Sequence, residues 1–456
     1  MMYGPMHCGA TSNGSVRPLD RKHEISEDYM TQTAKTKQFA AENLPPEVQA
    51  KADRMNLDEA AVPPYELPAL PLADSPNGTK WLSRSAPEII RQFEKYLYGA
   101  IPPRPEAMEF RLLAEAPAFG GLALRREIEL IFRHRAQERR AHLLLYLPTG
   151  VQGPVPVFFG LNFRGNHATT NDPEAMFHPF TPLPDLHAGP RKQDGRLNES
   201  GRGKFQYRWC FETVLKAGCA AATIGYGDFF PDREDGFEPS VMRLFYTPEE
   251  WYSPTRPTGA ISAWAWGISR ALDCLEAQSE IDRTRMMIHG HSRLGKTALW
   301  AGACDRRVAL TVSNCSGTCG AKLTHRYFGE NIEWLDQWNA HWFRADFARW
   351  VGRDTEFPID QHMLMAAIAP RLLYVASADR DVYADPRGEF LAARAASDAW
   401  RLCGASGLGD AEFPATGHLI GREIGYYLRP GEHEFLPENW QALLRFAAGH
   451  GLAAHA

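Results

Sequence analysis

The sequence predicts a three-layer α/β/α sandwich with a mostly parallel central β-sheet. From about residue 61, short apolar runs alternate with amphipathic stretches, which is the pattern of parallel strands joined by covering helices. At 456 residues and 44% hydrophobic content, the chain is long enough to bury one large core. Residues 1–60 are rich in charge and small polar groups and end in a proline-containing run. We therefore predict an N-terminal extension over residues 1–60 and one main domain over residues 61–456.

Individual elements follow from the lengths of the apolar runs and from the turn residues between them. Strands are predicted at residues 143–147, 156–161, 220–226, 286–289, 310–314 and 372–376. Helices are predicted at residues 260–276, 295–303, 390–402 and 437–448, the last beginning at a proline that suits an early helical position. Residues 162–209 lack periodicity, and we expect this long loop to lie over the strand ends and to shape a pocket.

The charge balance excludes several classes of partner. The chain has 50 basic and 55 acidic residues and no long basic run, so it has no electrostatic footprint for nucleic acid or for an anionic membrane. No run approaches the ~18 apolar residues of a membrane-spanning helix. The polar start of the chain predicts no signal peptide. Eight cysteines occur without a CxxC pair, which favours free thiols over a disulfide framework.

Residues 285–300 have the pattern of a strand, a tight turn and a helix. In that context Ser292, at the turn, would be lifted to the top of the sheet at the positive end of the following helix. The amide of Arg293 would then point at a developing oxyanion. Gly290 and Gly295 let the turn close, although the second glycine comes one position later than in the G-x-S-x-G motif. This pattern predicts a serine nucleophile.

The same residues also fit a phosphate-binding loop. Residues 290–297 match Gly-x-x-x-x-Gly-Lys-Ser/Thr position by position, so a nucleotide-binding protein is an alternative. Phosphate loops usually follow a strand near the beginning of a chain, whereas this segment lies about two-thirds of the way along. An acid and a histidine further downstream favour the nucleophile.

The motif Gly290-His291-Ser292-Arg293-Leu294-Gly295-Lys296-Thr297-Ala298-Leu299-Trp300 resembles the bacterial glucuronoyl esterases of carbohydrate esterase family 15, which have the α/β-hydrolase fold. The resemblance covers the chain from about Tyr65 to the last helix. It extends through Leu161-Asn162-Phe163-Arg164-Gly165-Asn166-His167, Tyr226-Gly227-Asp228, Asp235-Gly236-Phe237, Ala263-Trp264-Ala265-Trp266-Gly267 and Tyr374-Val375-Ala376-Ser377-Ala378.

The resemblance implies cleavage of the ester between a glucuronic acid side chain of xylan and a lignin alcohol, by a serine, a histidine and an acid. Ser292 is then the nucleophile, and Arg293 stabilises the oxyanion through its amide and guanidinium. The family match places the histidine at His433, before the last helix. His418, in another Gly-His turn, is the alternative, and spacing alone does not separate the two.

The acid occupies one of two places in this family. At the first, after the predicted strand 310–314, this chain has Cys315, and a thiol cannot replace a carboxylate in orienting an imidazolium. The second place follows the predicted strand 372–376 and is occupied by Asp381, our predicted acid, with Asp379 as the alternative.

The resemblance also implies ligands for the sugar and a set of partners. No metal or organic cofactor is predicted, since His167, His178 and His187 fit no zinc-ligand spacing. We expect a monomer that binds a carbohydrate ester and neither nucleic acid nor membrane, and the family implies a secreted or periplasmic location. Trp334, Trp338, Trp342 and Trp350 recur at helical spacing and predict core packing, with one or two lining the cleft. The predicted sugar ligands are Lys296, Glu330, Tyr383 and His341.

Two other functions stay open on the same fold. One is an acetyl-removing carbohydrate esterase or a broad carboxylesterase. The other is a catalytically silent carbohydrate-binding homologue, which the thiol at Cys315 makes worth testing.

Overall fold

The computed structural model describes residues 55–75, 77–177 and 201–454. From Met55 onward the chain forms one compact unit. Residues 55–60 therefore lie within that unit, while residues 1–54 of the predicted extension lie outside the described residues. The predicted boundary between an extension and a main domain at residue 60 stays a prediction.

A ten-stranded sheet runs through the unit in the order β1-β2-β3-β5-β4-β6-β7-β8-β10-β9. The six strands from β5 to β10 in that order are parallel to one another, and antiparallel strands flank them on both sides. Each of the six predicted strands lies on one of β3 to β8. The strands are β1 (Ala107–Ala118), β2 (Ala123–His134), β3 (Gln137–Pro148), β4 (Val155–Asn162), β5 (Ala220–Gly225), β6 (Ile281–His291), β7 (Val308–Asn314), β8 (Leu372–Ala378), β9 (Leu419–Gly421) and β10 (Ile424–Arg429).

The strands that the sequence did not predict lie toward the edges of the sheet. β2 contains charged residues that are nevertheless buried, because they are paired: Arg125 lies 2.7 Å from Asp172, and Glu127 lies 2.7 Å from His142. Buried polar pairs of this kind remove the apolar alternation by which a strand is recognised. β1, on the outer edge, is largely exposed.

Helices cover both faces of the sheet, which gives the predicted three layers. Along β3, Leu143 and Leu145 join one apolar cluster and Leu144 and Tyr146 join the other, because successive side chains of a strand point to opposite faces. Buried residues of α1 and of α3 to α8 belong to the first cluster, and those of α2 and α9 belong to the second. The helices are α1 (Ala86–Tyr96), α2 (Phe211–Lys216), α3 (Pro248–Trp251), α4 (Ala260–Glu276), α5 (Arg293–Cys304), α6 (Ile332–Asn339), α7 (Gln361–Ala366), α8 (Pro386–Leu402) and α9 (Pro437–Gly449).

The predicted long helices are present with small changes at their ends. α4 has the predicted bounds and is buried over almost its whole length. α8 begins four residues earlier than predicted, at Pro386, because the side chain of Asp385 caps it by accepting a hydrogen bond from the main chain of Gly388. Within the described ranges, no helix is both long and apolar enough to cross a bilayer, and the seven described cysteines are all free thiols.

The order of the strands positions the site. β6, β7, β8 and β10 are consecutive parallel neighbours, so their carboxyl ends meet at one edge of the sheet. The residues that follow those ends are Ser292, Cys315, Asp381 and His433. All the predicted catalytic groups, together with the cysteine at the alternative acid position, therefore converge on this edge.

Candidate active site

Ser292 occupies the sharp turn between β6 and α5. It is the single residue between the end of the strand and the first residue of the helix, and its φ of 57° and ψ of −128° are unusual for a serine. Its amide donates a 2.9 Å hydrogen bond to the carbonyl of Asn314 on β7. A Cβ on Gly290 would lie 1.9 Å from the carbonyl oxygen of Leu294, so the turn requires glycine there. This is the geometry of a nucleophile elbow.

The same turn lacks the open amides of a phosphate-binding loop. The amides of Gly295 and Lys296 both donate to the carbonyl of Ser292, at 2.8 and 3.2 Å. They are therefore used in the first turn of α5. The ammonium of Lys296 is buried and donates to the carbonyl of Ser316 rather than extending over the loop. Only the amides at the very start of the helix, beginning with that of Arg293, have no acceptor within it.

His433 and Asp381 form a hydrogen-bonded pair beside the elbow. Nδ1 of His433 lies 2.6 Å from Oδ2 of Asp381, which is buried. The ring of His433 packs on the ring of His291, the residue before Ser292, with 4.6 Å between their centroids. Burial lowers the pKa of His433, but the charge of Asp381 and its hydrogen bond outweigh burial, so the pKa lies above its ordinary value. The side chain is 44% exposed and thus accessible to a substrate.

The two alternative residues are engaged elsewhere. The carboxylate of Asp379 accepts hydrogen bonds from the amide of Gly431, at 2.8 Å, and from the hydroxyl of Thr416, at 2.9 Å. Through its bond to the main chain of Gly431, Asp379 thus supports the loop that carries His433. His418 is exposed, and its Nδ1 lies 3.2 Å from the main-chain oxygens of its own turn.

Cys315 lies next to the pair formed by Asp381 and His433. It is buried, and its thiol is hydrogen-bonded to Asp381. Burial, followed by the negative charges of Asp381 and Glu389, raises the pKa of the thiol well above its ordinary value. The thiol is therefore protonated and donates to the carboxylate. Among the described residues, Cys315, Asp381 and His433 are also the one group that could together hold a metal ion, their ligand atoms lying within 4.8 Å of one another.

On the other side of the elbow, Arg293 is fixed by a buried acid that the sequence analysis missed. Its guanidinium pairs with one oxygen of Asp232, whose other oxygen accepts hydrogen bonds from His341 at 2.8 Å and Trp342 at 2.6 Å. The guanidinium also lies 5.6 and 5.1 Å from the ring centroids of Phe163 and Trp342. Burial raises the pKa of Asp232, but the charge of Arg293 and the hydrogen bonds more than reverse this, so the carboxyl is ionised.

The predicted sugar ligands lie around this pair, at different depths. Lys296 is buried, contrary to the usual position of a helix lysine, and its ammonium lies 4.0 Å from the carboxylate of Glu330. The amide of Glu330 donates to the carbonyl of Tyr383, whose side chain is 48% exposed. His341 lies behind Arg293 and is bonded to Asp232. Its contact with the sugar stays a prediction.

Aromatic residues divide between core and cleft. Trp342 is buried beneath Arg293, with Lys296 6.0 Å from its ring centroid. Trp334 and Trp338 lie next to each other on α6, with 6.1 Å between ring centroids, and Trp338 is exposed. The recurrence of tryptophans was the signal that led to Trp342. The one sequence signal for Asp232 is its position shortly before Asp235-Gly236-Phe237, a segment that carries the family resemblance.

The carboxyl-terminal end of the long loop predicted over residues 162–209 contacts the site. Arg208 and Tyr207 both bond the carboxylate of Glu434, which follows His433 in the chain. The loop therefore supports the segment that carries His433, the predicted base. Its residues 178–200, with His178 and His187, lie outside the described residues.

Comparison with known proteins agrees with this geometry. The family model described as "Glucuronyl esterase, fungi" matches residues 213–404. A carbohydrate esterase, MZ0003, from an unknown prokaryotic organism is 38% identical over 89% of this chain and 94% of its own length. The solved structure of a promiscuous CE15 esterase from a marine bacterial metagenome is 36% identical, with a TM-score of 0.78, over 87% of this chain and 100% of that one. The glucuronoyl esterase from Solibacter usitatus is also 36% identical, with a TM-score of 0.78, over 85% and 99%. The chain therefore belongs to the glucuronoyl esterases of carbohydrate esterase family 15, which are carboxylic ester hydrolases with the α/β-hydrolase fold.

Proposed function

We propose that this protein is a serine esterase that hydrolyses esters of (4-O-methyl-)glucuronic acid, such as those between the side chains of glucuronoxylan and lignin alcohols. One observation carries the proposal. The elbow serine Ser292 lies between His291, against which the His433–Asp381 pair packs, and the first turn of α5, which carries the two fixed cations Arg293 and Lys296.

The acylation step follows from the first half of this arrangement. Asp381 accepts from Nδ1 of His433, which leaves Nε2 unprotonated and able to take the proton of Ser292. The hydroxyl oxygen then attacks the ester carbonyl carbon. The C=O electron pair moves to the carbonyl oxygen, and His433 becomes an imidazolium that Asp381 stabilises. Collapse of this intermediate breaks the bond to the alcohol oxygen, which leaves with the proton from His433.

The acyl-enzyme is resolved by water in the reverse sense. His433 removes a proton from water, the hydroxide adds to the acyl carbon, and the bond to Ser292 breaks as its oxygen regains a proton. The uronic acid is released with its carboxyl group free. These steps use side chains of this chain alone.

Arg293 supplies the charge stabilisation that both tetrahedral intermediates need. Its amide lies at the positive end of α5, and its guanidinium is already held by Asp232, so neither has to reorganise as charge develops on the oxygen. Preorganised donors of this kind stabilise a transition state by about 3–4 kcal/mol each.

Recognition of the sugar is assigned to the second cation and its neighbours. Lys296 can donate to ring hydroxyls and Glu330 can accept from them, and Tyr383 offers an exposed aromatic face. The buried ammonium of Lys296 and the partly exposed carboxylate of Glu330 lie 4.0 Å apart, so a donor and an acceptor stand next to each other. This arrangement favours a substrate whose acyl group is a hydroxylated ring over one whose acyl group is a plain hydrocarbon chain.

The test compares matched variants on benzyl glucuronate. We expect Ser292→Ala and His433→Ala to lower kcat by about 10⁴-fold or more, while His418→Ala keeps wild-type activity. Loss of activity in His418→Ala with retention in His433→Ala would reverse the assignment of the base. A wild-type protein inactive on every ester would instead favour a silent carbohydrate-binding homologue.

A broader carboxylesterase is the second candidate, because a relative with 36% identity is described as promiscuous. The kcat/KM for benzyl glucuronate should exceed that for acetylated xylan and for 4-nitrophenyl acetate. Lys296→Ala should lower kcat/KM for benzyl glucuronate more than for the other two esters. Equal kcat/KM values in the wild type would favour the broad esterase.

We also propose that residues 61–456 form the catalytic domain, that residues 1–60 are an extension, and that the protein acts as a monomer. Light scattering of the full chain at assay concentration tests the last point.

A further inference from the structure

Glu389 is a buried carboxyl group that the proposed mechanism does not use. It lies in the first turn of α8 and is fully buried. One oxygen, Oε1, accepts hydrogen bonds from the amides of Ser316, at 2.8 Å, and Gly317, at 2.9 Å. The other oxygen is bonded by the hydroxyl of Ser377. Its main partners are therefore two consecutive amides of one turn.

That turn, residues 315–317, has an unfavourable backbone conformation, although other hydrogen bonds also hold it, among them one from the amide of Cys315 to the carbonyl of Ala376 at 2.7 Å. Cys315 has a φ of 47° and Gly317 a φ of 59°, and the left-handed conformation is unfavourable for a cysteine. Without Glu389, the amides of Ser316 and Gly317 would be buried without the acceptor that they now share, and a buried donor without a partner is unfavourable. Glu389 thus compensates for an otherwise unfavourable turn.

The same turn contacts both halves of the site. The thiol of Cys315 is bonded to Asp381, and the carbonyl of Ser316 accepts from the ammonium of Lys296. At Gly317 even a Cβ atom would lie 2.8 Å from the carboxylate of Glu330. A shift of the turn would therefore displace the acid and the sugar ligands at once.

We propose that Glu389 is a positioning residue that holds the 315–317 turn, so that Asp381 and Lys296 are placed together for catalysis and for binding of the sugar. The inference rests on the function proposed above for those two residues. In this role Glu389 needs a side chain of its full length and an acceptor oxygen at the position of Oε1.

The inference does not require the charge of Glu389. Burial raises its pKa to about 7, with Asp381 adding to the shift and the hydrogen bonds opposing it. A neutral carboxyl group can keep the same partners, because Oε1 still accepts from the two amides while Oε2–H donates to Ser377. The other titratable groups that face it are Cys315 and Tyr426, both with raised pKa values.

Two substitutions at Glu389 separate the effect of side-chain length from the effect of side-chain charge. Glu389→Gln keeps the length and an acceptor oxygen without charge, whereas Glu389→Asp keeps the charge and withdraws the oxygens by about 1.5 Å. On benzyl glucuronate we expect Glu389→Asp to lower kcat at least tenfold and to raise KM severalfold. These changes are roughly those expected if one or two hydrogen bonds are lost at Asp381 and again at Lys296. Glu389→Gln should stay within about threefold of wild type in both parameters.

The matched control is Glu423→Asp. Glu423 also accepts from two consecutive amides, those of Ser406 and Gly407, each at 2.9 Å, but in a turn away from the site. It should keep wild-type kinetics. On 4-nitrophenyl acetate, which carries no sugar, Glu389→Asp should lower kcat and leave KM unchanged, whereas on benzyl glucuronate it should also raise KM. A general loss of folded protein would leave KM unchanged on both substrates.

Wild-type kinetics in Glu389→Asp would overturn the proposal, and so would equal losses in Glu389→Asp and Glu389→Gln, since the length of the side chain would then not account for the loss. If Glu389→Asp does not fold, Glu389→Gln decides alone: a tenfold loss in folded protein overturns the proposal, and near wild-type kinetics support it. An inactive wild type on uronate esters would instead count against the proposed function, and the 4-nitrophenyl acetate kcat would still report the placement of Asp381.

Discussion

The carboxylate of Asp381 lies 2.6 Å from Nδ1 of His433, although the two residues are 52 positions apart in the chain. Their strands, β8 and β10, are parallel neighbours, and each residue lies a few positions beyond the end of its strand. The contact gives His433 a raised pKa and a defined tautomer.

Asp381→Asn should lower kcat by about 10⁴-fold, because the amide favours the wrong tautomer of His433. The base works in its neutral form, so activity falls as the pH drops through the pKa of His433. In the wild type this acid limb should lie above the ordinary histidine value of about 6.5. Removing the charge of Asp381 lowers that pKa, so the residual activity of the variant should persist to lower pH. Profiles of kcat/KM against pH measure both effects.

Asp379→Asn is the matched control for that profile, since its partners are Gly431 and Thr416. Its acid limb should coincide with that of the wild type. A shift in Asp379→Asn but not in Asp381→Asn would identify Asp379 as the acid.

Cys315 should accept a carboxylate as a substitute acid. Its thiol, Asp381 and His433 lie within 4.8 Å of one another, and a glutamate at position 315 is longer by two heavy atoms. Adding Cys315→Glu to Asp381→Asn should therefore recover at least about tenfold of the lost kcat by restoring a negative partner for the imidazolium. Cys315→Gln in the same background has the same shape without the charge and should recover nothing.

In the wild-type background, Cys315→Glu should lower activity at neutral pH. Two adjacent buried carboxyl groups cannot both ionise readily, so one pKa is raised. Activity higher than that of the wild type would show that the two acids do not interact.

Asp232→Asn should leave Arg293 as a buried cation without its counter-ion. Loss of one partner from such a pair destabilises a fold by about 3–5 kcal/mol. We expect a lower thermal midpoint and, in the folded fraction, a lower kcat, because the guanidinium is no longer held by Phe163, Trp342 and the acid together. Asp398→Asn breaks an exposed pair with Arg401 and should change stability by less than about 1 kcal/mol. Equal midpoints for the two variants would contradict the buried pair.

Asn56→Ala should weaken binding of the sugar without slowing the chemistry. The carbonyl of Asn56 accepts from the amide of Gly329 at 2.8 Å, and its side chain donates to the carbonyl of Tyr327 at 3.0 Å. These contacts support the loop that carries Glu330. Loss of the side-chain bond should raise KM for benzyl glucuronate up to about fivefold, with kcat unchanged.

Asp58→Ala tests whether any change in this leading segment has the same effect. Asp58 is exposed and accepts from the amide of Ala60 within its own turn, so its KM should match the wild type. A raised KM in both variants would indicate a general disturbance of residues 55–61 rather than support of Glu330.

Much of the fold could be predicted because the parallel core of the sheet is apolar on both faces. β4, β5, β7, β8 and α4, and β6 from Met286 onward, consist of buried residues almost throughout, and such runs are visible in a sequence. β2 and β10 were missed for different reasons. Buried polar pairs interrupt the pattern in β2, and β10 is a six-residue run that contains Gly425 and follows closely on the turn after β9.

The sequence by itself determined the elements that depend on neighbours along the chain. The elbow at Ser292 needs a strand, a close approach at Gly290 and a helix, all within fifteen residues, and family motifs then led to His433 and Asp381. Only the tertiary structure decided what surrounds them. The partner of Arg293 is Asp232, the partner of the 315–317 turn is Glu389, and Cys315 supports the acid instead of replacing it. The members of these pairs are 61 to 73 positions apart in the chain. A contact between such distant residues leaves no periodic trace in a sequence, because it depends on which strands become neighbours.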